Sequence, residues 1–169
     1  MIVRSLLFLV AIVLSASPAA AELLTRVLFQ RGAWAVTYTL NTYNGQQFCN
    51  ATTANDYGTS FNITLYGDGY ATLAVIDDDW DFGGHVYLPM YVVIDSRKPW
   101  HVPSMAARTA ISFEFNDVYA TAKFLKELQA GNAVAVYEED QSDPFAIFSL
   151  SGSRKAIDAV FTCYDLISD

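Results

Sequence analysis

Hydrophobic and polar residues alternate along most of the chain, which is the period of a β-strand with one buried face. The clearest example begins at Trp34, where large apolar side chains fall on every second position as far as Leu40. Similar segments follow at residues 48–53, 61–66, 70–76, 86–95, 111–115, 133–138 and 145–150. Asn44-Gly45 and Gly67-Asp68-Gly69 are typical of tight turns between antiparallel strands. The pattern therefore predicts a mainly antiparallel sheet structure.

The hydrophobic period changes to that of a helix after residue 116. Asn116 or Asp117 can cap this helix, and Gly131 can end it. The apolar face is predicted to consist of Val118, Ala122, Leu125 and Leu128. A second helix is predicted over Arg154–Thr162. The resulting fold class is mainly β (α+β): an antiparallel β-sandwich or curled sheet with two late helices.

The amino terminus has the layout of a secretory signal peptide. Arg4 precedes an apolar run, Leu6–Leu14, and small residues end at Ala21. The apolar run is shorter than the roughly 20 residues of a membrane span. We therefore expect residues 1–21 to be a signal peptide and residues 22–169 to be a single exported β-rich domain with no membrane span. The predicted location is the periplasm, and secretion beyond the outer membrane is the alternative.

The charge balance narrows the classes of partner. Without Arg4 the predicted mature chain has nine Lys and Arg residues against 18 Asp and Glu, a net charge of −9. An acidic surface repels phosphate backbones and anionic lipid, so we expect neither nucleic acid nor membrane as a partner. The balance is compatible with an unidentified, basic protein partner. The alternative is that the acidic surface serves only to keep the protein soluble.

Cys49 and Cys163 are the only cysteines of the chain. In an oxidising compartment two cysteines favour a disulfide, which here would join an early strand to the last element. Two separate buried thiols are the alternative.

The densest group of potentially reactive side chains is the run DDDWDFGG at residues 77–84. Acidic residues at alternate positions resemble the start of a calcium loop. An EF-hand loop, however, needs glycine at its sixth position and glutamate at its twelfth, and Phe82 and Leu88 occupy those positions. A solvated turn between two strands is the simpler interpretation. We predict no metal site and no cofactor.

No catalytic motif stands out. His85 and His101 are isolated, and the segment 150–153 lacks the first glycine of a nucleophile elbow. Many pairs of Asp and Glu residues could serve as the two carboxylates of a hydrolase. The number of acidic residues therefore neither favours nor excludes hydrolysis. Two sequons, at Asn50 and Asn62, are interpreted as ordinary polar faces of strands.

Two tryptophans are candidates for binding a partner. Trp34 is expected in the core, whereas Trp80 and Trp100 lie in segments that are harder to bury. They could form a peptide- or sugar-binding patch or could close the ends of the sandwich. The candidate partner-binding residues are Asp77, Asp78, Asp79, Trp80, Asp81 and Trp100.

The order of several segments resembles a known family. These segments are WAVTYTL, GQQFCNATT, YVVIDSRKPW, LKELQAGNAV and FSLSGSRKAIDAVFTC. Together they are similar to the small periplasmic proteins related to invasion-associated locus B of alphaproteobacteria. The resemblance extends over the predicted mature chain and implies an all-β or α+β exported domain with no known catalysis. Further cysteines that are usual in that family are absent here.

The sequence thus predicts a non-enzymatic periplasmic domain with a structural or protein-binding role. One alternative is an acidic inhibitor or adaptor of a basic exported protein, such as a cell-wall hydrolase. A second alternative is a hydrolase that uses dispersed carboxylates or the two histidines.

Overall fold

The computed structural model describes residues 22–168, which contain twelve strands and two helices; the predicted signal peptide lies outside this range. The strands are β1 Leu23–Arg31, β2 Trp34–Asn41, β3 Gln47–Ala54, β4 Ser60–Tyr66, β5 Ala71–Ile76, β6 Val86–Tyr87, β7 Met90–Ile94, β8 Trp100–His101, β9 Ser104–Ala107, β10 Ala110–Phe115, β11 Ala133–Glu138 and β12 Ala146–Ser149. The helices are α1 Val118–Ala130 and α2 Ser153–Ile167. The predicted fold class is confirmed.

The larger sheet contains eight antiparallel strands in the order β1-β2-β3-β4-β5-β10-β9-β6. Its strand register places buried apolar side chains side by side on one face. One such row runs across five strands: Val36, Ala51, Ile63, Leu73 and Phe113. The opposite face carries half-buried threonine, asparagine and serine side chains. The alternation in the sequence therefore corresponds to an inner and an outer face of this sheet.

The smaller sheet contains four antiparallel strands in the order β12-β11-β7-β8. Its buried side chains share one core with the larger sheet. Phe61 on β4 and Phe148 on β12 join the two sheets, since their ring centroids lie 5.2 Å apart and both side chains are fully buried. Burial of two phenylalanine side chains is among the larger contributions to a core of this kind.

Asp117 caps the amino terminus of helix α1, and its carboxylate accepts a hydrogen bond from the backbone N–H of Ala120 at 2.6 Å. Its buried residues are Thr121, Phe124, Leu125 and Leu128. The predicted apolar face was therefore wrong at its first position, because Val118 is 60% exposed. Gly131 follows the helix, as predicted, and a Cβ there would lie 2.7 Å from side-chain atoms of Ile94 and Leu150.

Helix α2 lies against β1–β4 and contacts α1. It continues five residues beyond the predicted end at Thr162, so that Cys163 is a helical residue. Cys163 forms a disulfide with Cys49 of β3, with a Cα–Cα distance of 6.0 Å. The predicted disulfide is confirmed. Among residues 22–168, neither helix has the length and apolar character needed to cross a membrane.

Five strands differ from the sequence-based prediction. β1 was not predicted, because it is an edge strand whose side chains are mostly exposed and carry no one-sided pattern. The predicted strand 86–95 is two strands in different sheets, β6 and β7, because Pro89 lacks the N–H needed to continue a ladder. The short strands β8 and β9 were also not predicted.

Candidate functional site

Asp77 fixes the start of the acidic loop. Its carboxylate accepts hydrogen bonds from the Thr59 hydroxyl at 2.7 Å and from the backbone N–H of Asp79 at 3.0 Å. Its own N–H donates to the Thr109 carbonyl at 3.0 Å. Because both carboxylate oxygens are engaged within the fold, Asp77 positions the loop, whereas Asp78 and Asp79 are exposed.

The second half of the loop is held in the same way. Asp81 accepts a hydrogen bond from the N–H of Gly83 at 2.9 Å, and Phe82 donates its N–H to the Arg108 carbonyl at 2.8 Å. The loop is therefore an ordered turn against the β9–β10 connection. Asp81 remains exposed although one of its oxygens is used.

Trp80 is the centre of an aromatic cluster. Its ring centroid lies 4.9 Å from that of Phe145 and 5.6 Å from that of Phe82. Phe145 keeps 41% of its surface exposed, and the other two side chains are half-buried. The cluster thus presents apolar surface to solvent at the place where the acidic loop meets the smaller sheet.

Phe145 brings a second acidic loop to this cluster. The connection between β11 and β12 carries the exposed residues Glu139, Asp140 and Asp143 and ends at Phe145. The sequence interpretation treated this segment only as a turn, although its three closely spaced carboxylates were visible there. We call the combined region the Trp80 surface: Trp80, Phe82 and Phe145 with the carboxylates Asp78, Asp79, Asp81, Asp140 and Asp143.

Trp100 belongs to a different cluster. Its Nε1–H donates to Glu127 of α1 at 2.9 Å, and its ring packs edge-on against Phe124 at 5.5 Å. The Lys123 ammonium lies 5.3 Å from the ring centroid. Trp100 therefore attaches α1 to the end of the smaller sheet. Of the two roles considered from the sequence, a binding patch or closure of the ends of the sandwich, this contact corresponds to the second. Within the described part of the chain, it shares no aromatic neighbour with Trp80.

The two histidines occupy separate environments. Nδ1 of His85 lies 3.2 Å from Sδ of Met105, and the His101 ring packs against Tyr91 with centroids 5.3 Å apart. His101 lines a cavity of about 290 Å³ together with Glu139. Within residues 22–168, no three His, Cys, Asp or Glu side chains converge in a way that could hold a metal ion.

Two titratable groups outside these clusters are perturbed. The backbone N–H groups of Asn132 and Ala133 donate to Asp95 and lower the pKa of its carboxyl group, and Arg97 at 3.0 Å adds to this effect. Burial raises the pKa of Tyr70, and the neighbouring Glu114 carboxylate raises it further. Neither group belongs to the Trp80 surface.

Comparison with known proteins returns no match: no protein-family model, curated protein or solved structure is similar to this chain. The candidate site is therefore argued from its own geometry.

Proposed function

We propose that this chain is a non-enzymatic periplasmic domain that binds another exported protein through the Trp80 surface. The proposal retains the resemblance to the invasion-associated locus B-like proteins as a hypothesis of kinship. The disulfide supports an oxidising compartment, because disulfides persist outside the reducing cytosol.

The observation that carries the proposal is the exposed aromatic cluster between two acidic loops. Aromatic side chains at the centre of a surface and charged groups at its rim are the usual anatomy of a protein interface. Trp80 and Phe145 supply the apolar centre. Asp78, Asp79 and Asp81 supply one side of the rim.

The negative charge of the rim determines which kind of partner can bind. Its five carboxylates attract a protein with Lys or Arg residues around an apolar contact, and they repel acidic proteins. Arg108 is a basic residue next to the loop, and its backbone, through the contact with Phe82, holds the loop in place. We therefore expect a basic partner and an association rate that falls as salt increases.

The test compares two triple variants that remove equal charge. Asp78→Asn, Asp79→Asn and Asp81→Asn change the rim but leave Asp77 and its contact with Thr59 intact. The control combines Glu22→Gln, Asp56→Asn and Asp165→Asn, which are exposed and lie outside the Trp80 surface. Each protein is immobilised and exposed to a periplasmic extract, and the captured proteins are identified and quantified.

We expect the wild type and the control variant to capture the same basic protein, and the rim variant to lose it. Capture should also fall with added salt. Equal capture by both variants, or capture that salt leaves unchanged, would contradict the proposal. If the captured protein is a cell-wall hydrolase, a fall in its activity on adding the wild-type chain would identify an inhibitor, and unchanged activity an adaptor.

The hydrolase alternative rests on the cavity that His101 shares with Glu139. An imidazole and a carboxylate in one cavity can act as base and orienting group. Hydrolysis of ester or glycoside substrates that His101→Ala abolishes, and that His85→Ala leaves intact, would favour this function over binding alone.

A further inference from the structure

The outer face of the larger sheet is polar but almost free of charge. Its neighbouring strands β3, β4, β5 and β10 contain no Lys or Arg and one acidic residue, Glu114. Exposed protein surfaces usually carry charged residues at about 25–35% of their positions. The smaller sheet and both helices share the core on the inner face, and the outer-face side chains of these four strands are half-buried or exposed. This face therefore differs from one that is only solvated.

Side chains with hydroxyl, amide and carboxylate groups form a row across this face. The strand register places Asn50, Thr64, Thr72 and Glu114 opposite one another on β3, β4, β5 and β10. We call these four residues the polar row. Amide and hydroxyl side chains both donate and accept hydrogen bonds. The row crosses three strand spacings, about 14 Å, so it can contact an extended ligand at several points.

Three aromatic side chains lie beside the polar row, at the end of the strands near the β4–β5 turn. Phe48 and Tyr66 are opposite each other on β3 and β4, with ring centroids 5.7 Å apart, and the Tyr70 ring lies 5.5 Å from that of Tyr66. All three are half-buried, so part of each side chain is open to solvent. Burial and the Glu114 carboxylate raise the pKa of Tyr70, which places its hydroxyl group close to the polar row. We call these three residues the aromatic row.

A cavity of about 420 Å³ opens at the same end of the sheet. Tyr66 lines it together with Gln46, Gln47 and Asp68, and its lining contains no Lys or Arg. It is separate from the Trp80 surface, because the acidic loop follows the opposite end of β5. The aromatic row therefore lies between two sets of hydrogen-bonding groups, those of the cavity and those of the polar row.

From these observations we infer that the outer face of the larger sheet binds a neutral glycan chain along the aromatic and polar rows. Sugar rings stack their C–H faces on aromatic side chains, and their hydroxyl groups pair with amides, hydroxyls and carboxylates. An anionic glycan is disfavoured, because Glu114 and Asp68 repel it and the rows offer no cation. A protein partner is disfavoured as well, because the polar row lacks the apolar centre of a protein interface.

The test is a titration of the ¹⁵N-labelled protein, followed by NMR, with three neutral probes: cellohexaose, maltohexaose and chitohexaose. A hyaluronan hexasaccharide is the anionic comparator. We expect at least one neutral probe to produce saturable shifts of the Asn50, Thr64 and Thr72 amides. The anionic comparator should bind about tenfold more weakly or less, because it meets the two carboxylates.

One variant tests each row. Tyr66→Ala removes the central aromatic ring and should raise the Kd for the neutral probe about tenfold. Thr72→Val keeps the shape of the residue and its preference for a strand but removes the hydroxyl group, and it should raise the Kd about threefold.

The matched controls are Tyr119→Ala on α1, which removes an 87% exposed ring, and Thr162→Val on α2. Both should leave the Kd unchanged. The inference is overturned if none of the three neutral probes produces a saturable shift, if the shifts lie outside the two rows, or if the anionic comparator binds equally well. It is also overturned if either row variant, once shown to be folded, binds as the wild type does.

Discussion

The two ends of the inner face of the larger sheet are covered in different ways. Over β1–β4 the cover is helix α2, fastened by the Cys49–Cys163 disulfide. From β4 towards β10 the cover is the smaller sheet with α1, so that β4 lies beneath both covers; this second cover is held by contacts such as Phe61–Phe148 and Phe115–Phe124. The strands beneath both covers carry the same alternating pattern. One end thus depends on a covalent bond and the other on close packing of large side chains.

The largest expected effect is on the packed end. Phe148→Ala removes a fully buried ring that contacts Phe61, and we expect the free energy of unfolding to fall by about 3–5 kcal/mol. Ile147→Ala is the control on the same strand, because Ile147 faces outward and is 51% exposed. Urea unfolding followed by tryptophan fluorescence measures both. Similar losses in the two variants would show that the sheets do not depend on this contact.

A somewhat smaller effect is expected at the covalent end. The disulfide closes a loop with a sequence separation of 114 residues, and its removal in Cys49→Ala/Cys163→Ala should cost about 2–4 kcal/mol. Amide hydrogen exchange should quicken first in α2 and β3, while β7 and β11 stay protected. Uniform loss of protection would contradict the difference between the ends. Two free thiols in non-reducing mass spectrometry of the purified protein would contradict the bond itself.

The smallest effect concerns the turn that fixes β11 beside β7. Because the pKa of Asp95 is lowered in the folded state, the charged carboxylate stabilises the fold above its unfolded pKa, near 3.9. This contribution is lost as the pH falls through the lower, folded-state pKa. Asp95→Asn keeps a side-chain acceptor and a residue that tolerates φ +52°.

We therefore expect Asp95→Asn to be less stable than the wild type at pH 7 and equally stable at the acid end of the range. Thermal unfolding at a series of pH values measures this difference. A constant difference at all pH values would show that the effect is not electrostatic.

Much of the fold could be predicted because a strand with one buried face shows alternating apolar and polar residues in the sequence. The row from Val36 to Phe113 is visible as alternation in each strand. Edge strand β1 shows no such alternation, because its side chains are mostly exposed on both faces. Pro89 lies between β6 and β7, which belong to different sheets. The proline is visible in the sequence, but the sheet that each strand joins depends on which other strands lie nearby in the fold.

The candidate site could be predicted only in part. The acidic run and Trp80 were recognisable, but the position of Phe145 against Trp80 depends on a contact between residues 65 positions apart. For the same reason the sequence grouped Trp100 with Trp80, although the two tryptophans lie in separate clusters.

The position of Cys163 also has a consequence for the order in which the chain can be completed. It belongs to α2, which follows all twelve strands in the chain, whereas its partner belongs to the third strand. Strands β1–β4 are therefore made before α2, and their inner face stays uncovered until α2 has been made. A chain that is cut short before α2 therefore exposes Trp34 and Val36 and cannot close the bond, which makes a truncated product easy for quality-control proteases to recognise.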